Sequence, residues 1–394
     1  MKFIHNAIIT TIIFTFIYGA SKLPVKFDSL NPLLKALDDF ELNDIVFSKL
    51  RGHNDVPLDT NIIIINIGFL NRDDIAKRLE LLNSFNPKVI GIDVFFEDFH
   101  RDESDNNLSK VFASSHNLVF ANALVRRNST SIIYDSIKTS NYAFLNNANQ
   151  GYVNLMTEDG KDVETVRGFA PRYKLGYGWI DAFSLECVKM FDKNKYQTFI
   201  NRSNPEEIIN YERNINYNTY MRLDLSQIDS SIDRSSIENK IVLLGFIGFY
   251  FNDSLFIRDK FFTPMNDKYA GKTLPDMYGV VIHANIISMI LEKNYINIMP
   301  LKLNVFLTVI ICFLNIIFLS WLFSKTINWY DEIAAVFSVI IIITILYSSI
   351  VIFHDHNYQF NTTNIILAFL LAPNINSTYY EILNKIKNKK LFKR

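Results

Sequence analysis

The chain has 394 residues, with 40 basic and 40 acidic side chains and a formal net charge of zero. The charges are mixed along the chain and form no basic face, which removes nucleic acid from the expected partners. Of its two cysteines, Cys312 lies in an apolar run, so Cys187 has no disulfide partner and a disulfide-stapled secreted scaffold is excluded.

The chain opens on an apolar run, Ile4–Ala20, with Lys2 before it and Gly19, Ala20 and Ser21 at its end. This reads as a cleavable signal peptide or as a retained anchor. About 17 apolar residues are long for a signal core and suit a tilted span, which favours the anchor. Either way, the large insert behind it is exported.

The stretch NPLLKALDDFELNDIVFSKLRG repeats Leu33, Leu34, Leu37, Phe40, Leu42, Ile45 and Val46 at three-to-four spacing, as a helix does. Asn61–Ile67 is a short β-branched run expected to be a buried strand. Asn71 then caps a helix with acids in its first turn and Ile75, Leu79 and Leu82 on one face. Lys88–Phe96 reads as a second strand, and a strand–helix–strand unit implies a parallel pair. Asn117–Leu124 and Lys240–Phe251 read as further strands, and Val280–Asn294 as an apolar-faced helix. Between them, roughly 126–238, Asn, Tyr and charge obscure any periodicity. The expected fold is α/β: a mixed, mainly parallel sheet covered by helices in an exported domain, plus an all-α transmembrane region.

Leu303–Phe323 and Ile333–Phe353 carry no charge and each reaches about 20 residues, enough for a ~30 Å hydrocarbon core. The short link SKTINWYDE makes them an antiparallel hairpin, with Trp321, Trp329 and Tyr330 where an aromatic belt falls. A weaker segment, Thr362 to about Tyr380, precedes a tail rich in Lys and Arg. The positive-inside rule puts that tail in the cytoplasm and, counting back, the large insert outside. The expected organisation is an anchor over 1–22, an extracytoplasmic domain over 25–300, three membrane helices over 301–380 and a basic tail over 381–394. The expected location is the inner (cytoplasmic) membrane, crossed several times.

Six motifs in order resemble the CHASE2 domain, an extracytoplasmic sensor module of bacterial signalling proteins. They are LDDFELNDIVFSKLRG, NPKVIGIDVFFED, GYVNLMTEDGKDVETVR, WIDAFSLECVKM, NKIVLLGFIGFYFNDSLFIRDKFFTP and MYGVVIHANIISMIL. The resemblance covers about residues 30–300 and extends to the layout of one span before and three after. The chain departs from the pattern after the first strand, where Asn66 and GFLNRDD replace an Asp and a Trp-Pro-rich turn. It departs again at its end, where members usually continue into a cyclase, kinase or phosphatase.

Asp93 ends a strand where open α/β sheets place ligand groups. It is either a cation ligand or acid/base, or a carboxylate accepting N–H bonds from the next turn. The acidic loop Glu97–Asp105 offers oxygens for a divalent ion but lacks the spacing of a calcium loop, so no metal is expected. Asp253 follows a strand with Gly245 and Gly248, and with Thr263 and Pro264 it matches the resemblance. His283 and Asn285 open the last helix of the insert. Asp93, Asp253 and His283 are expected to share one sheet edge, although a satisfied, partly buried histidine is the favoured reading of His283. Arg167 pairs with one of these acids, with an anionic ligand, or with solvent. His354-Asp355-His356 is weak as a metal site. No phosphate loop, Cys/His cluster or nucleophile elbow is visible, so no cofactor and no enzyme activity are expected.

The resemblance implies a membrane-anchored sensor that responds to a ligand or envelope state. Its output then passes to an unidentified partner protein, with membrane lipid as surroundings and a homodimer as a possible assembly. The alternatives are an assembly subunit of a membrane complex, or a periplasmic enzyme with a site around Asp93 and Asp253.

Overall fold

The computed structural model describes residues 2–22, 41–51, 56–126, 133–146, 148–155, 165–176, 178–248, 259–266 and 274–391. The chain divides into two units, one of residues 37–296 and one joining residues 1–36 to 297–394.

Helix α1 (Lys2–Ser21) belongs to the second unit. The first unit is built on a seven-stranded sheet. Its strands are β1 (Asp59–Asn66), β2 (Val89–Ile92), β3 (Leu118–Val125), β4 (Ser136–Lys138), β5 (Asn149–Tyr152), β6 (Tyr220–Asp224) and β7 (Ile241–Gly245). They lie in the order β6-β1-β7-β2-β3. Beyond them β3 pairs in parallel with β5 and antiparallel with β4. All other pairings are parallel, so the sheet is mixed and mainly parallel.

Parallel strands buried on both faces need apolar residues at every position. Ile62, Ile63, Ile64 and Ile65 meet this in β1, and all four are fully buried. On one face, Ile63, Ile65, Ile90, Ile92, Phe120, Val242 and Leu244 join a core with α2 (Arg72–Ser84) and α3 (Glu103–Ser114). Helix α2 contributes Ile75, Leu79 and Leu82, and its cap is Asn71, which accepts from the Asp74 amide at 2.8 Å.

The opposite face is covered by α4 (Phe183–Phe191), which α5 (Lys193–Ile200) follows, and by α6 (Gly279–Glu292). These helices approach closely where the sheet carries glycine. A Cβ on Gly91 would meet Phe183 and Cys187 of α4 at 2.9 and 3.0 Å, and one on Gly245 would lie 2.7 Å from the Val280 Cβ of α6. A Cβ on Gly151 would lie 2.6 Å from the Phe183 Cα.

Strand β2 is shorter than its apolar run, which continues to Phe96. Pairing stops at Ile92, and the chain then turns toward α3. Strand β7 likewise ends at Gly245, with Gly248 at φ +100°. The pattern of β6, half-buried at the sheet edge, is too mixed to read in advance. Of the expected helix over 31–52, only residues 41–51 lie within the described residues. There Val46–Leu50 forms a π-helical turn with Val46 and Phe47 buried.

The second unit adds α7 (Leu301–Lys325), α8 (Tyr330–His356) and α9 (Thr363–Leu391) to α1. Helices α1, α7 and α8 are long and apolar enough to cross a membrane. Helix α9 is apolar at first and then carries Pro373, Asn374, Asn376 and Glu381. The four helices meet through Ile9, Ile13, Cys312, Ile316, Leu319, Ala334, Ala368 and Ala372.

A polar layer joins them at one end. The Ser320 hydroxyl lies 2.9 Å from the side-chain oxygens of both Asn6 and Asn376. The Asn376 amide donates to the Tyr330 hydroxyl at 3.0 Å, which donates to the Pro373 carbonyl at 3.1 Å. His5 meets the Tyr379 hydroxyl at 2.7 Å.

Gly245→Ala is expected to cost roughly 1–3 kcal/mol by overpacking, and Val280→Ala in the same chain should return part of it. Gly151→Ala should cost more and resist rescue, because backbone and not a side-chain end stands in the way. Chemical denaturation of these variants beside the parent chain measures both.

Helix α1 supplies hydrogen bonds and packing that the other three helices would otherwise lose. The mature protein is therefore expected to retain it, with an intact mass that includes residues 2–22. Ser320→Ala should weaken the bundle by about 0.6–2 kcal/mol, the range for polar contacts between membrane helices, read by unfolding in mixed micelles.

Candidate functional site

Four residues lie in one row across the C-terminal edge of the sheet. Asp224, Asn66 and Gly245 are register partners on β6, β1 and β7. Asp93 extends the row past the Ile92–Leu244 pair, its amide donating to the Leu244 carbonyl at 2.8 Å. Neighbouring strands are about 4.8 Å apart, so Asp93 and Asn66 are separated by about 10 Å.

Asn66 is the node of this row. Its amide donates to Asp224 Oδ1 at 2.9 Å and to the Gly248 carbonyl at 3.0 Å. Its oxygen accepts from the amides of Gly68 and Ile247 at 3.2 and 3.1 Å. A carboxylate at this position has no proton to give Asp224 and would repel it. The departure from the resemblance at Asn66 is thus matched to Asp224.

Asp93 lies two residues beyond Gly91 and on the same side of the strand, toward α4. Burial, with the charge of Asp259 added to it, pushes its carboxyl up to about 7. Near neutral pH both its protonated form, which donates, and its ionised form, which accepts, are within reach. Burial, together with Glu186 and Asp93, also drives the Cys187 thiol well above its ordinary range, so this cysteine is an inert core group. Asp259 has no signal in the sequence that marks it. It sits in the left-handed region at φ +65°, and its carbonyl accepts from the Gly279 amide at 3.1 Å.

His283 takes the core role. It is buried on α6, its ring edge-on to Phe183 at 5.3 Å and its Nδ1 2.8 Å from the Ser184 hydroxyl. Burial lowers its pKa to about 4, so it is neutral at physiological pH. Asp93 and His283 both abut α4, but Asp93 neighbours Cys187 whereas His283 meets Phe183 and Ser184. Asn285 is also structural, its side chain joining the backbone of Glu212, Arg213 and Val281. Asp253 lies outside the described residues.

Arg167 is held elsewhere. It grips Asp44 with two bonds, 3.1 and 2.7 Å, and Glu41 lies 3.8 Å away. It ties the entry turn of the domain to its interior, not to Asp93.

The acidic loop is structural as well. Asp102 caps α3 by accepting from the Asp105 amide. His100, Asp102 and Asp105 offer ligand atoms within 4.8 Å of one another. Yet the Arg72 guanidinium lies 2.5 Å from the fully buried Asp105 carboxylate, where a cation would have to bind.

Two further acids, the buried Asp59 and the half-buried Asp276, escape sequence reading. Asp59 accepts from Ser288 at 2.5 Å and from the Asn61 and Ile62 amides. Asp276 accepts from Thr263 and Asn266, and burial raises its pKa to about 6.

The CHASE2 domain family matches residues 36–322. The chain belongs to the CHASE2 domain family. No curated protein and no solved structure matches it. CHASE2 is an extracytoplasmic sensor domain and not a catalytic one. With the apolar helices, the family fits a membrane protein that carries a sensor domain.

Asp93 and His283 of this CHASE2 domain work in opposite directions. Asp93, raised from 3.8 to about 7, contributes stability that is full below pH 4 and lost as pH rises through 7. His283, lowered from 6.5 to about 4, contributes stability that is full above pH 6.5 and lost as pH falls through 4. Asp93→Asn should therefore raise the melting temperature at pH 8 relative to the parent chain. Between pH 6.5 and 4 it should leave a steeper loss of stability. Thermal scans across pH 4–8 check both signs.

Proposed function

We propose that this CHASE2 domain senses a ligand or an envelope state at the C-terminal edge of its sheet, around Asp93. The observation that carries the reading is Asp93 itself. It is a carboxyl balanced between protonation states at the edge where α/β sheets take ligands, inside a sensor-family domain. A protonated Asp93 donates a hydrogen bond and an ionised one accepts, so a ligand with a matching group shifts both its own affinity and the proton. Asn66, by fixing Asp224 and the Ile247–Gly248 turn, keeps this edge in register.

The signal leaves through the membrane helices and is read by another protein. A ligand can only bias helix arrangements that already differ in energy, and the output is contact with whichever arrangement is favoured. The protein lies in the inner membrane as a multi-pass chain. Lys2, Lys325 and the basic tail gather at the end of the bundle that holds the Asn6–Ser320–Asn376 layer. By the positive-inside rule that end is cytoplasmic.

Two measurements test this. A cysteine at Ser136 should react with an impermeant thiol reagent added outside intact cells, and one at Asn388 should not. The reverse pattern overturns the orientation and the sensing role together. Purified protein in liposomes, given nucleotide and nothing else, should neither make nor degrade a nucleotide messenger nor label itself with phosphate. Turnover would replace the partner-dependent output with an intrinsic activity.

A further inference from the structure

Hydroxyls within the apolar helices are mostly answered by their own backbone. Thr308 donates to the Asn304 carbonyl and Thr344 to the Ile340 carbonyl, both at 2.8 Å. Asn315 of α7 and Ser338 of α8 differ. Both are buried, at 5% and 4% exposure. Among the described residues, neither the nitrogen nor the oxygen of the Asn315 carboxamide has a hydrogen-bond partner, and the Ser338 hydroxyl has none. In hydrocarbon surroundings an unmatched polar group is costly, so two at one place call for an occupant.

The two stand at nearly one depth. Phe318 of α7 packs on Phe337 of α8 with ring centroids 4.3 Å apart. From that contact Asn315 is three residues further from the α7–α8 link and Ser338 one, so their levels differ by about 3 Å at 1.5 Å per residue. Asn315 precedes Lys325 by ten residues, about 15 Å along the helix, which places it well inside a ~30 Å hydrocarbon core. Helix α9 runs parallel to α7, since Asn304 meets the Asn361 carbonyl and Ser320 meets Asn376. The buried Ala372 is thereby level with Asn315, and its methyl group has neither donor nor acceptor. Near the same level, Pro373 has no amide to give the Phe369 carbonyl four residues before it.

We propose that Asn315 and Ser338 hold ordered water in the middle of the helix bundle, bridging α7 to α8. Buried waters make about three hydrogen bonds to polar groups that the protein itself leaves unmatched. The carboxamide brings two donors and an acceptor, and the hydroxyl brings one donor with acceptor capacity. Two bonds of about 2.8 Å through a water span a gap that a direct bond cannot. Burial keeps lipid out, and two neutral side chains give a cation no charge to replace its hydration shell. The α7–α8 seam is then the hydrated one, whereas direct bonds join the Asn6–Ser320–Asn376 layer. The inference does not depend on what the CHASE2 domain senses, nor on which way the chain crosses the membrane.

The test is hydroxyl-radical footprinting of the full chain in nanodiscs. X-ray pulses make radicals from bound water, and mass spectrometry locates the side chains beside it. Cys312, a buried free thiol one turn from Asn315 on α7, is the reporter already in the chain. Its modification rate should fall several-fold when Asn315→Leu and Ser338→Ala are combined, with circular dichroism unchanged. Should that double variant not fold, Ser338→Ala alone, which removes a hydroxyl and little volume, should lower the rate in the same direction. A Cys312 rate that is the same in the parent chain and in the folded variants overturns the proposal. A direct Asn315–Ser338 bond in the bilayer gives that result, because it leaves Cys312 dry throughout.

Discussion

Every hydrogen-bonding position on the Asn66 amide is occupied, and the C-terminal edge of the sheet is organised around that fact. Its two donors hold Asp224 and Gly248, and its oxygen holds Gly68 and Ile247. A buried polar group left unpaired costs about 1–3 kcal/mol, so displacing any one of these four partners is resisted. The chain after β1 and the chain after β7 are therefore fixed relative to β6. Asp93, one strand beyond β7, inherits a rigid neighbour on one side. Over Gly91 of the same strand, α4 presses in. The carboxyl is half-buried there, and desolvation, with the charge of Asp259, raises its pKa.

The same tightness explains what could be read in advance. The isoleucine run of β1, the Asn71 cap and the stripe of α2 are local signals, and the structure keeps them all. The parallel order of the sheet is implied by strand–helix–strand spacing. The site was legible only in part, because its decisive relations are not local. Nothing in the residues around Asp224 says that it will face Asn66 across 158 positions. Nothing near Asp259 says that its charge will reach Asp93. Arg167 has the right chemistry for an acid, but its partner, Asp44, lies 123 residues away in the entry turn. His283 reads first as a core residue, and it is buried with its ring nitrogen on the Ser184 hydroxyl.

In the membrane unit the apolar runs reveal the helices, while their packing rests on the few polar residues among them. An isolated Asn or Ser in an apolar helix is costly unless a neighbouring helix answers it. Asn6, Ser320 and Asn376 answer one another, and Tyr330 closes the set on the Pro373 carbonyl. Pro373 itself lacks an amide proton and would weaken α9. The Tyr330 hydroxyl donates to the Pro373 carbonyl and so ties α8 to α9 at this turn. The weakest of the four apolar segments in composition is thus the one most bound to the others by side chains.

These two polar nodes frame a third element of a different kind. The Asn66 node is held by four fixed partners, so its geometry is set. Asp93, beside it, can change its charge at little cost near neutrality. A sensor needs a stiff frame and one soft variable, because a ligand that perturbs everything equally biases nothing. The frame here is the Asn66–Asp224 pair and the Val280–Gly245 approach of α6. In the proposed reading the soft variable is the proton on Asp93. Val280 and His283 lie one turn apart on α6, and Asp259 holds the first amide of that helix through its carbonyl. The charge of Asp259 helps raise the Asp93 pKa, and the Asp259 carbonyl accepts from the amide that opens α6.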